Sequence, residues 1–287
     1  MKKVNEILKE LKIKPHRYQK EGNVYIVEAN ERKYVVKKNE HPIYDYLNRR
    51  NFDYYPKTIT QDGYEIAEFI EDINQPNEEK IEGLVSLTAL LHSKTTYYKA
   101  VNEFDYKSIY EDFKKEITDC NLYYNNLMDR IESQLFMSPS SYLLARHITQ
   151  VFNVINYCDY NIDQWYKSIK DMNKMRVSII HNNLSLDHFI DDKLISWNRA
   201  KFSTPVFDIY NLYKNTYKDY VWDELMREYM SSYPLHNDEL ELFYVLISIP
   251  KKVKMLSSEY QNTIEINNLL EYISKTGTFI ETMKKTS

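Results

Sequence analysis

Glycine is the scarcest informative residue in this chain: only Gly22, Gly63, Gly83 and Gly277 occur among 287 residues. Dinucleotide-binding turns and Walker-type phosphate loops need clustered glycines, because only then does the backbone approach the phosphates closely. Both motifs are therefore excluded. Cysteine is nearly as rare. Cys120 and Cys158 both lie in helix-like surroundings, and two buried thiols are the expectation rather than a disulfide or metal site. No apolar run approaches the roughly 20 residues needed to cross a bilayer. The opening Met1-Lys2-Lys3-Val4-Asn5-Glu6 leads into no apolar stretch of signal-peptide length, so a cytoplasmic protein without a membrane partner is expected. Excess positive charge is also missing. The formal net charge is −4 with a pI near 6.0, and no nucleic-acid partner is expected.

What is present is a globular balance, with 43% hydrophobic and 28% charged residues, in a chain long enough for two substantial cores. Val4, Ile7, Leu8 and Leu11 give a short helix within 1–13. Residues 23–28 and 33–37 are β-branched and aromatic, with the turn Ala29-Asn30-Glu31-Arg32 between them. A helix over 42–50 and strands near 57–60 and 64–69 follow, the latter joined by the Asp62-Gly63 turn. The polar, proline-containing stretch 71–77 reads as a hinge. The domain expectation is thus a β-rich lobe over 1–70, the hinge, and a helical lobe over 78–287.

Beyond the hinge, apolar residues recur every three or four positions. Ile81, Leu84, Thr88 and Leu91 form one stripe, Ile109 to Leu135 a longer one, and Leu144 to Ile155 a third after Ser138-Pro139. Helices are expected over 219–230, 238–249 and 263–284, with Asp238 and Thr263 as caps and Pro250 as a stop. One interruption stands out: the apolar runs Val177–Ile180 and Leu194–Trp197 flank a polar loop and read as a β-hairpin set among helices.

That loop carries the functional signal. It runs His181-Asn182-Asn183-Leu184-Ser185-Leu186-Asp187-His188, then Leu194-Ile195-Ser196-Trp197-Asn198, then Pro205-Val206-Phe207-Asp208-Ile209. These segments resemble the aminoglycoside phosphotransferase and choline kinase family, in particular its spore-coat kinase-like branch, with its H-G-D-x-x-x-x-N, I-D-W/F-D/E and P-x-x-D-L patterns. Tyr34-Val35-Val36-Lys37 is similar to the third-strand lysine motif. Residues 65–70 are similar to the strand entering the hinge, and Leu87–His92 to a helix ending in Leu-His. The resemblance implies an α+β, bilobal, protein-kinase-like fold with a five-stranded N-terminal lobe. It also implies ATP with magnesium or manganese as the cofactor to test, and places Lys37 and Glu68 on the nucleotide.

The departures from the pattern are equally specific. Carried over, the catalytic aspartate falls on Asn183, an amide that cannot accept a proton. The metal-binding asparagine falls on His188, the main metal-binding aspartate on Ser196, and the acid two positions later on Asn198. Magnesium prefers oxygen ligands, carboxylates above all. His181 and Asp208 match and imply support of the loop and the following helix. The expectation is a pseudokinase that binds an unidentified protein or small-molecule partner, and the altered residues by themselves assign no cofactor. An active phosphotransferase using Asp187, Asp191 or Asp192 is the alternative, and a structural assembly role is a third. The usual helix glutamate opposite Lys37 is absent from 42–50, leaving Asp45 or Glu40 as candidates. His92 reads as a capping or core histidine.

Overall fold

The structure is a computed structural model that describes residues 2–22, 24–29, 32–39, 43–72 and 75–286. In chain order the elements are α1 (Lys2–Glu10), β1 (Pro15–Glu21), β2 (Val24–Ala29), β3 (Arg32–Lys38), α2 (Tyr44–Arg49), β4 (Thr58–Gln61), β5 (Tyr64–Glu68) and α3 (Asn77–Thr95). Next come β6 (Tyr97–Ala100), α4 (Glu103–Glu132), α5 (Pro139–Ile169), β7 (Lys174–Ile180), β8 (Phe189–Ile190), β9 (Lys193–Leu194) and β10 (Lys201–Ser203). The chain closes with α6 (Val206–Thr216), α7 (Trp222–Ser232), α8 (Asn237–Ser248) and α9 (Glu259–Thr286). This is the α+β layout expected, an antiparallel five-stranded sheet at the N-terminal end and a larger helical part.

Two compact units result, one of residues 1–96 and 178–208, the other of 97–177 and 209–287. The first unit holds the sheet, in the order β1-β2-β3-β5-β4. The buried side of α1 explains its short length: Val4, Ile7 and Leu8 pack with Ile13, Val27, Ala29, Val36 and Ile66. Apolar burial of this kind supplies about 1.5–3 kcal/mol per large side chain, which an isolated nine-residue helix needs. Tyr18 on β1 ties α1 down through a 2.6 Å bond to Asn5 Oδ1. β1 itself has no signature in the sequence. Its run Pro-His-Arg-Tyr-Gln-Lys-Glu is polar because only its pairing with β2 defines it, and most of its side chains face solvent.

Asp62 (φ 50°) and Gly63 (φ 76°) form the predicted β4–β5 turn, both in the left-handed region that this tight connection requires. The turn assigned to Asn30-Glu31 and part of the hinge, Ile73-Asn74, lie outside the described residues.

One reading of the segment after α5 needs correction. Val177–Ile180 and Leu194–Trp197 do not pair with each other. The end of β7 pairs with β10 (Ile180 opposite Lys201, Ser178 opposite Ser203), while its start pairs with β6 inside the second unit. Leu194 instead pairs with Phe189 in the β8–β9 hairpin. The cause is local: Asp191 (φ 51°) and Asp192 (φ 55°) form a two-residue left-handed turn of their own.

In the helical unit, α4 and α5 pack through stacked Tyr110 and Tyr166 rings 4.4 Å apart and through Lys114, which bonds Asp159 and Asp163 at 2.7 and 2.9 Å. Cys120 and Cys158 are buried and unpaired. The expected caps at Asp238 and Thr263 are not caps. His236 precedes α8 in a capping box with Glu239, and Thr263 lies inside α9, its hydroxyl bonded to Glu259 O at 2.9 Å. A histidine side chain and an upstream loop did the capping, which an Asp/Thr rule does not register.

Candidate functional site

The third-strand lysine finds its partner on the sheet itself. Lys37 on β3 lies opposite Glu65 on the neighbouring β5, and its Nζ lies 3.1 Å from Glu65 Oε1. Glu65, and not Asp45, is the acid beside Lys37, standing directly across the ladder; the other candidate, Glu40, lies outside the described residues. Glu65 is 2% exposed and receives two more bonds, from Tyr44 OH (2.6 Å) and Asn39 Nδ2 (2.8 Å). Such saturation is what a buried carboxylate requires. The Tyr44 hydroxyl is pushed well above its usual pKa, first by burial and then by the Glu65 charge. The two-residue repeat of 64–69 puts Glu65 and Glu68 on opposite faces; only the register with β3 shows which of them meets Lys37.

Glu68 goes elsewhere. With Phe69 and Ile70 it lines a groove of about 790 Å³ whose other walls include Tyr55, Lys57 and Lys193. Lys37 is not among the groove's lining residues, so the structure does not bring these two predicted nucleotide ligands together there.

The loop at 181–198 is organised by Asp208, which is fully buried in the first turn of α6. One carboxylate oxygen accepts the His181 backbone N–H at 2.7 Å and faces His92 Nε2 at 3.3 Å; the other accepts the Asn182 N–H at 2.7 Å. Asn182 holds φ 56° at the place of the glycine in H-G-D. Asparagine tolerates this left-handed conformation better than other non-glycine residues. His92 is a fully buried residue of α3.

His181 is also fully buried. Its Nε2–H donates to Ile195 O at 2.8 Å, and its ring meets Trp197 edge-on at 4.9 Å. That bond places the proton on Nε2 and leaves Nδ1 buried without a partner. Burial lowers the His181 pKa to about 4, outweighing the opposite pull of the Asp208 charge. The ring is neutral at pH 7.

The four carried-over positions lie on this same loop. Asn183 is half-buried, and Arg199 reaches its Oδ1 at 3.5 Å. His188 donates from Nδ1 to Asn183 O at 2.7 Å, which commits that nitrogen to the backbone. Ser196 has φ 67° at the start of a one-turn helix, and Asn198, in that turn, is exposed. This donor set does not suit a magnesium ion, which takes carboxylate and water oxygens. Among the described residues, no three His, Cys, Asp or Glu side chains cluster so as to hold a metal ion. The alternative acids lie on the hairpin and on the one-turn helix before it. Asp191 and Asp192 make the β8–β9 turn, and Asp191 bonds Lys193 at 2.9 Å; Asp187 is exposed on the one-turn helix Leu186–His188. No described helix is long and apolar enough to cross a membrane.

No protein-family model and no curated protein matches the sequence. Solved structures do match. An aminoglycoside phosphotransferase from Alicyclobacillus acidocaldarius superposes with a TM-score of 0.70 at 8% identity, over 95% of this chain and 92% of that one. Spectinomycin phosphotransferase gives 0.51 at 11% identity in its complex with ADP and spectinomycin, and 0.53 at 12% in its AMP-bound complex. Both comparisons cover 98% of this chain and 94% of the other. Likeness at such identities concerns the fold, not the chemistry. This chain has the aminoglycoside phosphotransferase-like form of the protein-kinase-like fold.

Proposed function

We propose that this chain is a kinase-fold binding or regulatory module that does not itself transfer phosphoryl groups with magnesium, and that an adenine nucleotide is one of its ligands. The observation carrying the reading is the carboxylate-free set Asn183, His188, Ser196 and Asn198 on a loop whose backbone is clamped by Asp208. Phosphoryl transfer needs a carboxylate to orient the acceptor and acidic ligands for the metal. Losing one such group costs ~10² to 10⁴ in rate.

Two features support nucleotide binding. Spectinomycin phosphotransferase, similar in fold, is seen with ADP and with AMP. Lys37 keeps a buried glutamate beside it and 12% of its side chain exposed, an ammonium held in place and still reached by solvent.

The test is calorimetric titration of ATP with EDTA and then with magnesium or manganese, paired with a labelled-ATP assay over sugars, choline, aminoglycosides and proteins. Nucleotide binding indifferent to the metal, without turnover, is the expected result. Stoichiometric turnover that Lys37→Met or Asn183→Ala abolishes would overturn the reading and leave the active-phosphotransferase alternative.

A further inference from the structure

The helical unit contains a second feature that the kinase reading does not use. A cavity of about 560 Å³ is lined by Lys214, Lys218, Lys251, Lys252 and Lys254, against only two carboxylates, Asp219 and Glu265. In a chain of net charge −4, five lysines lining one cavity are a strong local reversal of sign.

Lys214 is the most telling of the five. It is half-buried on α6, its Nζ bonds the Tyr210 hydroxyl at 2.8 Å, and it stands 4.8 Å from that ring's centre. Among the described residues it has no carboxylate within ion-pair distance. Glu116 on α4 acts on it only from further away, and burial pulls its pKa below the usual lysine value. A desolvated ammonium without a counter-ion is costly unless an anion completes it. Lys218 is different, being paired with Glu271 at 3.1 Å and donating to Asn268 Oδ1 at 2.6 Å.

The other three lysines stand on the irregular segment between α8 and α9, and its backbone is pinned. Tyr123 and Tyr124 on α4 donate to Val253 O and Lys251 O, and Cys120 Sγ–H points at Pro250 O at 3.4 Å. Asn262 on α9 accepts from Leu256 N at 2.6 Å and donates to Leu256 O at 3.0 Å. Lys251, Lys252 and Lys254 are exposed and among the described residues have no carboxylate partner. Their side chains thus rise from a fixed backbone, which lowers the ordering cost of gathering them around one ligand.

From this geometry we infer a binding site for a small phosphate-bearing molecule, seated on Lys214 and closed by Lys251, Lys252 and Lys254. Lysine ammonium groups serve phosphate as point charges with three donors each. The cavity is of small-molecule size. The site is independent of the nucleotide reading, because it shares no residue with the Lys37 site.

Inorganic pyrophosphate, titrated calorimetrically in EDTA and constant chloride, is the probe. The full chain and Lys37→Met should bind it alike. Lys214→Met should weaken binding about tenfold or more, the loss expected for one hydrogen bond to a charged group. Lys252→Glu with Lys254→Glu, both on exposed positions, should do the same without altering the melting temperature. Absence of binding, unchanged affinity in the Lys252/Lys254 double variant, or loss in Lys37→Met alone would each overturn the assignment.

Discussion

Lys37 and Glu65 face each other across the β3–β5 ladder, ammonium to carboxylate at 3.1 Å, with the carboxylate buried beneath Tyr44 and Asn39. A strand thus supplies the acid that the family pattern puts on a helix. Glu65 is held by three donors, so removing the lysine leaves a buried charge that is still partly compensated.

Lys37→Met should therefore destabilise the fold by about 2–4 kcal/mol, toward the lower side of what breaking a buried pair costs. Lys37→Met with Glu65→Gln should recover most of that loss, because no charge remains buried. Urea denaturation of both singles and the double gives the coupling directly. Additive losses would mean the pair has no energetic link.

Asp208→Asn should be the most damaging single change in the loop. An amide keeps the shape but offers one acceptor oxygen where two now serve His181 N–H, Asn182 N–H and His92. A loss of about 2–4 kcal/mol is expected, together with faster amide exchange at His181 and Asn182. A variant as stable as the parent, with those amides still protected, would contradict the clamp.

His181 gives the fold a pH dependence of defined sign. Its folded pKa of about 4 lies below the value of 6.5 for an ordinary histidine, so the unfolded chain binds the proton first. Its contribution is complete above about pH 6.5 and is lost as pH falls toward 4, by at most about 3 kcal/mol. Melting temperatures from pH 7.5 to 4.5 should fall less steeply in His181→Gln than in the parent. Parallel curves would show that another group governs acid lability.

Gly83→Ala should destabilise, although alanine in a helix ordinarily gains about 1 kcal/mol over glycine. A Cβ at Gly83 on α3 would stand 2.8 Å from Phe189 Cζ and 3.0 Å from Cε1, and Phe189 is itself buried on β8. Adding Phe189→Leu should relieve the clash and restore part of the stability. A stabilised Gly83→Ala would show that the ring moves freely.

Both thiols should resist labelling in the native state. Burial raises the Cys120 pKa to about 11 and lifts Cys158 further, and the thiolate is the reactive form. Reaction with a disulfide reagent at pH 8 should proceed only at the rate of unfolding. A fast native phase of one equivalent would place one thiol in contact with solvent.

Periodicity of three and four was enough to locate α3, α4 and α5, because long amphipathic helices repeat one physical rule many times. The sequence also carried the resemblance on the 181–208 segments and the kinase-like fold that follows from it. The scarcity of glycine has a structural counterpart that the sequence does not advertise. Asn51, Asp62, Asn182, Asp191 and Asp192, with Lys12 and Ser196, take positive φ among the described residues, and asparagine and aspartate do so at modest cost.

Pairing and register lay beyond reach of the sequence, being contacts between residues far apart in the chain. Glu65 and Glu68 are alike as letters, yet a strand's two-residue repeat and its partner's register send one beneath Lys37 and the other to a groove. Nothing in the sequence marks the lysines of the α8–α9 segment; tyrosines of α4 fix the backbone beneath them. Charge is written locally, whereas its desolvation and its neighbours are set only by packing.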